Sequence, residues 1–307
     1  MACSALLFLL SLSIIGGAAA TVPRKLVLVQ PPPLVLSYHN GLLLKGNLTL
    51  HLLWYGGFSA SQKAIITDFV RSLTPSSAAS PPLAPSVATW WRTTERYRGG
   101  AARVSLGRQL SDTSYSLGKS LTDADIQTLA QRGPHRDAIT AVLTAPDVTV
   151  TGFCMSRCGT HATAPVPTGN RKIRFTYLWV GNSATQCPGQ CAWPFHQPAY
   201  GPQGPPLVSP NGDVGVDGMI INLATVLAGA VTNPDGKGYF QGPATAPLEA
   251  VTACTGAFGK GAYPGYPGDV AVDRETGASY NAHGLYGREY LLPSMWDPKT
   301  SQCSTLV

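Results

Sequence analysis

Charged side chains are scarce in this sequence. Asp, Glu, Lys and Arg make up 12% of its 307 residues, about half the usual share. Lys and Arg form no run longer than a pair, such as Arg171–Lys172, which argues against a nucleic-acid-binding stripe. The net charge of +6 would suit a mild attraction to an acidic polysaccharide, although an ordinary basic surface explains it more simply. We therefore expect no nucleic-acid partner.

Recognisable catalytic motifs are also missing. None of the six histidines lies in an H-E-x-x-H motif or four residues from another histidine. The sequence has neither a G-x-S-x-G nucleophile elbow nor a Gly-rich phosphate loop. A histidine trio assembled only by the fold stays open as an alternative. From the motifs we predict no catalytic residue, no cofactor and no metal site.

Two weaker signals for carbohydrate chemistry have simpler explanations. Asp213 and Asp217 have the spacing of a carboxylate pair for sugar hydrolysis, but a turn followed by a helix cap explains them better. The six tryptophans and twelve tyrosines would suit a sugar-stacking platform. However, Trp54, Trp90 and Trp179 fall on apolar faces of predicted elements, which favours a place in the core.

The amino terminus, residues 1–20, has the pattern of a secretory signal peptide. The apolar stretch Ala5–Ile15 has the length of a signal-peptide core, and Ala18–Ala20 fits the small-x-small rule for cleavage after Ala20. An uncleaved membrane anchor is the alternative, but this stretch and Gly218–Val231 are both short for a bilayer span. We therefore expect a secreted, extracellular protein without a transmembrane segment after signal cleavage.

Cysteine content agrees with export. Of the seven cysteines, Cys3 lies in the predicted signal peptide. The remaining six are Cys154, Cys158, Cys187, Cys191, Cys254 and Cys303. An even number in an exported chain indicates disulfides. Zinc is the competing interpretation of the two C-x-x-x-C pairs, but structural zinc favours C-x-x-C turns. The pairing stays open, although the isolation of Cys254 and Cys303 from the other four favours a bond between them.

Asn47 begins the acceptor sequence Asn47-Leu48-Thr49 for N-linked glycosylation. It lies at the start of a predicted strand, where a turn would expose it. A single acceptor sequence is a weak signal, but together with a signal peptide it predicts a glycan on Asn47.

Hydrophobic patterning predicts an α/β fold. An alternating strand begins at Gly46, and Ser59 can cap the helix that follows. The apolar face of that strand comprises Leu48, Leu50, Leu52 and Trp54. The further predicted elements are a helix from Ser86, a strand over Thr113–Leu117, a helix from Thr122, and strands over Ala138–Thr144 and Arg174–Val180. This order favours a mixed sheet flanked by helices.

The longest apolar segment, residues 215–231, predicts a long buried helix because it is apolar nearly all round. Asp217 is its expected cap, and Asn233-Pro234 ends it. Residues 21–36 predict an extended arm. Since no charged linker interrupts the chain, we expect residues 21–307 to form a single globular domain, which is loop-rich and stapled by disulfides.

Five long stretches carry a family resemblance. They are YHNG at 38–41, LHLLWYGGFSASQKAIITDFVRSL at 50–73, VGVDGMIINLATVLAGAVTNP at 214–234, GYFQGPATAPLEAVTAC at 238–254 and YLLPSMWDP at 290–298. Together they resemble the EXORDIUM-like, or phosphate-induced protein, family of plants, over roughly residues 38–303. The resemblance implies a secreted protein of the apoplast or cell wall, linked to brassinosteroid-promoted growth and cell expansion. It implies no established enzymatic activity.

The resemblance also prompts a hypothesis about ancestry. Distant non-plant relatives of the family carry a His-Glu-x-x-Glu element before a Thr-Asp-Pro stop, similar to the metal-binding helix of zincins. The corresponding positions here are Thr225, Val226 and Gly229, and none of these side chains binds zinc or acts as a general base. The fold would then be a degenerate zincin-like one that has lost its metal.

Three functions are compatible with the sequence. The favoured one is a non-catalytic secreted protein that binds a cell-wall polymer or a cell-surface receptor and so modulates growth. A cryptic extracellular hydrolase or carbohydrate-active enzyme is the alternative, and it would require a cleft with a converging acid/base pair. A structural wall glycoprotein is the third, weakened by the globular apolar pattern and the lack of repeats.

Overall fold

A computed structural model describes residues 33–75, 83–98, 102–166 and 174–307 of the chain. Its residues Leu34–Val307 form one compact unit. The predicted signal peptide, residues 1–20, and all but the last four residues of the predicted arm, residues 21–36, lie outside the described residues. The single-domain organisation of residues 21–307 therefore stays a prediction.

The described residues form a mixed α/β structure around a five-stranded sheet. The sheet strands are β1 (Gly46–Tyr55), β2 (Ala102–Asp112), β3 (Ala138–Thr144), β4 (Gly159–Pro165) and β5 (Arg174–Gly181). The helices are α1 (Ala60–Leu73), α2 (Val87–Trp91), α3 (Asp123–Ala130), α4 (Pro188–Cys191) and α5 (Val214–Thr232). Short 3₁₀ helices cover Arg92–Arg96, Thr252–Cys254 and Leu285–Gly287.

The sheet has the order β2-β1-β3-β5-β4. Strands β2, β1, β3 and β5 run parallel to their neighbours, and β4 pairs antiparallel with β5 at one edge. The predicted mixed sheet flanked by helices is therefore confirmed. Outside this sheet, the described residues form five two-stranded pairs: Ser37–Tyr38 with Tyr239–Phe240, Ser120–Leu121 with Thr149–Val150, Ala271–Val272 with Ser279–Tyr280, Ala282–His283 with Glu289–Tyr290, and Met295–Asp297 with Gln302–Ser304.

Strand β1 and helix α1 form as their sequence patterns predict. The alternating leucines and Trp54 of β1 all lie in one buried cluster, while Leu53 and Tyr55 face a second cluster on the opposite side of the sheet. The hydroxyl of Ser59 accepts a hydrogen bond from the Gln62 backbone N–H, and the Gln62 side-chain oxygen accepts one from the Ser59 backbone N–H. This capping box fixes where α1 begins.

The predicted strand at Thr113–Leu117 is wrong, because the edge strand β2 occupies Ala102–Asp112 and a turn follows it. Two residues of β2 bulge opposite His51, whose Nδ1 accepts a hydrogen bond from the Arg108 backbone N–H at 2.9 Å. This bulge and the half-exposed edge position disturb the alternating pattern of β2, and the sequence analysis therefore missed it.

Helix α5 is the long buried helix that the apolar segment predicts. It packs against β4 and β5 and contributes most of its side chains to the main core cluster. Its length and composition would also suit a membrane span, but 83% of an 18-residue stretch of this helix is buried inside the protein, which is typical of a core helix. The predicted cap Asp217 is wrong: the Asp213 side chain accepts the hydrogen bond from the Val216 backbone N–H.

Three disulfides join the six cysteines. Cys154 bonds to Cys187 and Cys158 to Cys191, each across 33 positions of the chain, and Cys254 bonds to Cys303 across 49. The favoured Cys254–Cys303 pair is therefore confirmed, and the zinc alternative is not supported. The other two disulfides connect the segment after β3 to the segment after β5, beyond the carboxyl ends of adjacent parallel strands.

Candidate functional site

A cleft of about 800 Å³ lies between the segments joined by the Cys154–Cys187 and Cys158–Cys191 disulfides and two loops of the carboxyl-terminal part of the chain. Ligands of open parallel sheets commonly bind outside the carboxyl ends of the strands, and this volume lies in the usual range for ligand sites. The lining residues come from four segments: 154–156, 189–202, 255–257 and 262–265.

Three aromatic side chains line the cleft. Tyr200 and Tyr263 are 90% and 65% exposed, and Trp193 stands between the cleft and a smaller adjoining crevice. The back of the Trp193 ring packs against Phe258, with ring centroids 5.8 Å apart. Solvent-exposed aromatic rings around a concavity are typical of a binding site, because their burial is then completed by a ligand.

The wall formed by Cys154, Met155 and Ser156 has an unusual backbone. Cys154 and Ser156 have φ angles of 66° and 58°, a left-handed conformation that costs free energy for residues other than glycine. The disulfide to Cys187 holds one of them in place. The turn presents Met155, which is 78% exposed, at the cleft.

Gln190 supports the same turn from helix α4. With its amide oriented so that both groups are satisfied, its nitrogen donates to the Cys154 carbonyl at 2.7 Å and its oxygen accepts from the Ser156 N–H at 2.6 Å. The wall of the cleft is thus fixed by a covalent bond and two hydrogen bonds. A site fixed in this way loses little conformational entropy on binding.

Charge is absent from the cleft lining. Among the described residues that form it there is no Asp, Glu, Lys, Arg or His side chain. The basic net charge of the chain is therefore not concentrated here. The polar groups of the lining are hydroxyls, such as those of Ser156, Tyr200 and Tyr263, and the Gln190 amide, which can form hydrogen bonds with a ligand.

A separate polar cluster lies at the carboxyl-terminal end of helix α5. His161 Nε2 is 2.9 Å from Glu249 Oε2, and the Asn233 side chain donates to Glu249 Oε1 at 2.7 Å. The His161 and Glu249 side chains are each 13% exposed, and His161 Nδ1 is buried without a hydrogen-bond partner among the described residues. These residues are distant in sequence and match no spacing motif, so the sequence analysis did not find them.

Thr225, Val226 and Gly229, the positions that correspond to the metal-binding residues of a zincin helix, all lie on α5. Of these, Gly229 lies beside the cluster. A Cβ atom at Gly229 would come within 2.8 Å of His161 Nε2 and Glu249 Oε2. Val226 is buried near Gly159, and the Thr225 hydroxyl donates to the Ile221 carbonyl at 2.8 Å. No group of three potential metal-ligating side chains occurs within the described ranges. The zincin-like ancestry stays a hypothesis.

The other sequence candidates lie apart from the aromatic cleft. Asp213 caps α5, and Asp217 is 2% exposed and accepts two hydrogen bonds from Asn211, at 2.9 and 2.7 Å. Burial raises the pKa of Asp217 to about 7, against the lowering effect of those hydrogen bonds. Both aspartates thus hold local structure. Asn47 is exposed at the start of β1, and its glycosylation stays a prediction.

Comparisons with known proteins match almost the whole chain to a single family. The conserved region of phosphate-induced protein 1 matches residues 36–306. The chain is 60% identical to Protein EXORDIUM-like 2 of Arabidopsis thaliana over 91% of its own length and 92% of the relative's. It is 60% identical to Protein EXORDIUM of the same plant, over 89% of this chain and 90% of that protein.

Protein PHOSPHATE-INDUCED 1 of Nicotiana tabacum is 58% identical over 92% of this chain and 93% of its own. No solved structure matches the chain. At this identity and coverage, and with the six cysteines paired in three disulfides, the chain belongs to the EXORDIUM, or phosphate-induced protein 1, family.

Proposed function

We propose that this protein is secreted to the plant apoplast and acts there by binding, without catalysis, a cell-wall polymer or a cell-surface receptor. Through that binding it promotes or modulates brassinosteroid-dependent growth and cell expansion. The observation that carries the proposal is the uncharged aromatic cleft between the disulfide-bonded segments. Three disulfides support export, because such bonds persist in oxidising compartments.

Secretion is tested separately from binding. Full-length protein expressed in plant cells is expected in the apoplastic fluid, with an amino terminus that begins at Thr21. Retention of the protein inside the cell, or a secreted protein that still begins at Met1, would contradict this part of the proposal.

Binding is tested with the secreted protein and isolated wall and plasma-membrane fractions. The double variant Tyr200→Ala/Tyr263→Ala removes two exposed rings of the cleft and should fold normally, because exposed side chains contribute little to stability. We expect wild-type protein to sediment with one of the fractions and to alter brassinosteroid-stimulated elongation when applied to tissue. The double variant should lose both effects, and equal behaviour of the two proteins would contradict the proposal.

One observation favours the alternative of a cryptic hydrolase. His161 and Glu249 form a close, largely buried pair, and His161 Nδ1 has no hydrogen-bond partner in the part of the chain that the structure describes; a histidine–carboxylate pair can transfer protons. A screen of wall oligosaccharides for product formation, with His161→Gln and Glu249→Gln as controls, separates the two functions. Turnover by the wild type that both variants abolish would establish the hydrolase in place of the binding protein.

A further inference from the structure

We infer that the aromatic cleft binds a neutral, hydroxyl-rich polysaccharide chain. The inference rests on the proposed function and narrows its ligand to one chemical class. It does not support the alternative that the basic net charge draws the protein to an acidic polysaccharide, because the lining of the cleft contains no charged side chain. An acidic chain would need Lys or Arg side chains along its path to balance its carboxylates.

The exposed rings match the surfaces of such a chain. A pyranose ring has an apolar face of C–H groups that can cover an aromatic ring, and Tyr200 and Tyr263 offer two such rings at the cleft. Neither tyrosine hydroxyl, nor the indole N–H of Trp193, has a hydrogen-bond partner among the described residues. These polar atoms remain available to a ligand.

Hydroxyl groups in the lining complete the match. Ser156 and Thr255 lie in the cleft, and the Thr255 hydroxyl donates to the Thr252 carbonyl at 2.6 Å, which leaves its oxygen free to accept. Hydroxyls both donate and accept hydrogen bonds, as sugar hydroxyls do. A proline-rich peptide, which also binds aromatic grooves, offers mainly carbonyl acceptors and would leave the accepting capacity of this lining unused.

The cleft is not enclosed, because Tyr200 and Tyr263 in its lining are both largely exposed. A crevice of about 20 Å³ adjoins it at Trp193 and is too small to hold a sugar ring. The fixed turn at Cys154–Ser156 forms one wall of the cleft. This shape suits a segment of a polymer better than a small molecule enclosed on all sides.

The experiment is isothermal titration of the secreted full-length protein with three probes of matched length: a neutral β-1,4-glucan hexasaccharide, an oligogalacturonide hexasaccharide and a proline-rich peptide. We expect the neutral glucan to bind and the other two to bind at least about tenfold more weakly. Binding of the glucan should be unchanged between low and high salt, since no ion pair forms. Tyr200→Ala and Tyr263→Ala should each weaken it by up to about tenfold.

Tyr286→Ala is the matched control, because Tyr286 is an exposed tyrosine in a different groove. It should bind the glucan like wild type. Preference for the acidic oligosaccharide or for the peptide would overturn the inference while leaving the proposed function intact, provided the cleft variants still fail to bind wall fractions. If the cleft variants bind those fractions like wild type, the proposed function fails as well.

Discussion

Gly229 of helix α5 lies directly against His161 of strand β4. A Cβ atom at position 229 would sit 2.8 Å from His161 Nε2, closer than side-chain carbons come to such atoms. We expect Gly229→Ala to lower the free energy of unfolding by about 1–3 kcal/mol, because the His161–Glu249 pair must move. Urea unfolding of the secreted protein measures this loss.

Thr225→Ala is the control on the same helix. Among the described residues its hydroxyl bonds only to the Ile221 carbonyl within α5, and alanine is the better helix former, so the change should stay within about 0.5 kcal/mol of wild type. A Gly229→Ala protein as stable as the control would show that the cluster adapts without cost.

The buried carboxyl of Asp217 should make stability depend on pH. Its pKa is raised by burial from 3.8 to about 7, so between these values the folded state keeps a proton that the unfolded state releases. Stability should therefore fall as pH rises from about 4 to 7, at up to about 1.4 kcal/mol per pH unit. Asp217→Asn imitates the protonated acid and should remove this part of the slope.

Asp213→Asn provides the comparison, since asparagine also caps helices well. It should keep most of the wild-type slope, as measured by unfolding at several pH values. A wild-type protein and an Asp217→Asn variant with the same pH dependence would contradict the assignment.

The two disulfides of the cleft region should have different effects when removed. Cys154→Ala/Cys187→Ala frees the turn at the cleft wall, so ligand or wall-fraction binding should fall by about tenfold. Cys158→Ala/Cys191→Ala removes a bond of the same 33-residue separation outside the lining and should affect binding less. Both pairs should lower the thermal midpoint, because each bond restrains the unfolded chain. Equal loss of binding in both would argue that the turn itself does not matter.

Asn47 should carry a glycan in the secreted protein. Its exposure at the start of β1 leaves room for one, and removal by an endoglycosidase should shift the electrophoretic mobility of the wild type. Asn47→Gln should abolish the shift. Thr49→Ser keeps the acceptor sequence and should retain the shift, whereas a shift that persists in Asn47→Gln would show that the glycan lies at another site.

Much of the framework was predictable because it depends on local pattern. Strands β1 and β3, the capped helix α1 and the apolar helix α5 each carry a periodicity or cap that is readable in a few residues. Strand β2 could not be predicted, because its bulge interrupts the alternation of apolar and polar residues. The cap of α5 was misplaced by four residues because Asp213 and Asp217 are both suitable residue types.

The candidate site could be predicted only in part. The cysteines were identified, but nothing local connects Cys154 with Cys187, or Trp193 with Tyr263. The disulfide and the shared cleft depend on loops that meet beyond the sheet, and loop positions cannot be predicted from hydrophobic periodicity or helix and strand propensity. The His161–Glu249 pair likewise joins an edge strand to a distant loop.

The overlapping loops of the Cys154–Cys187 and Cys158–Cys191 disulfides should also keep the protein in one piece when extracellular proteases cut it. Every peptide bond between Cys158 and Cys187 lies inside the covalent rings closed by both Cys154–Cys187 and Cys158–Cys191. A single cut in that stretch, which includes strands β4 and β5, opens the backbone but releases no fragment, because the two ends remain tied through sulfur. The nicked protein would migrate as one species until reduced, and its cleft walls would stay joined.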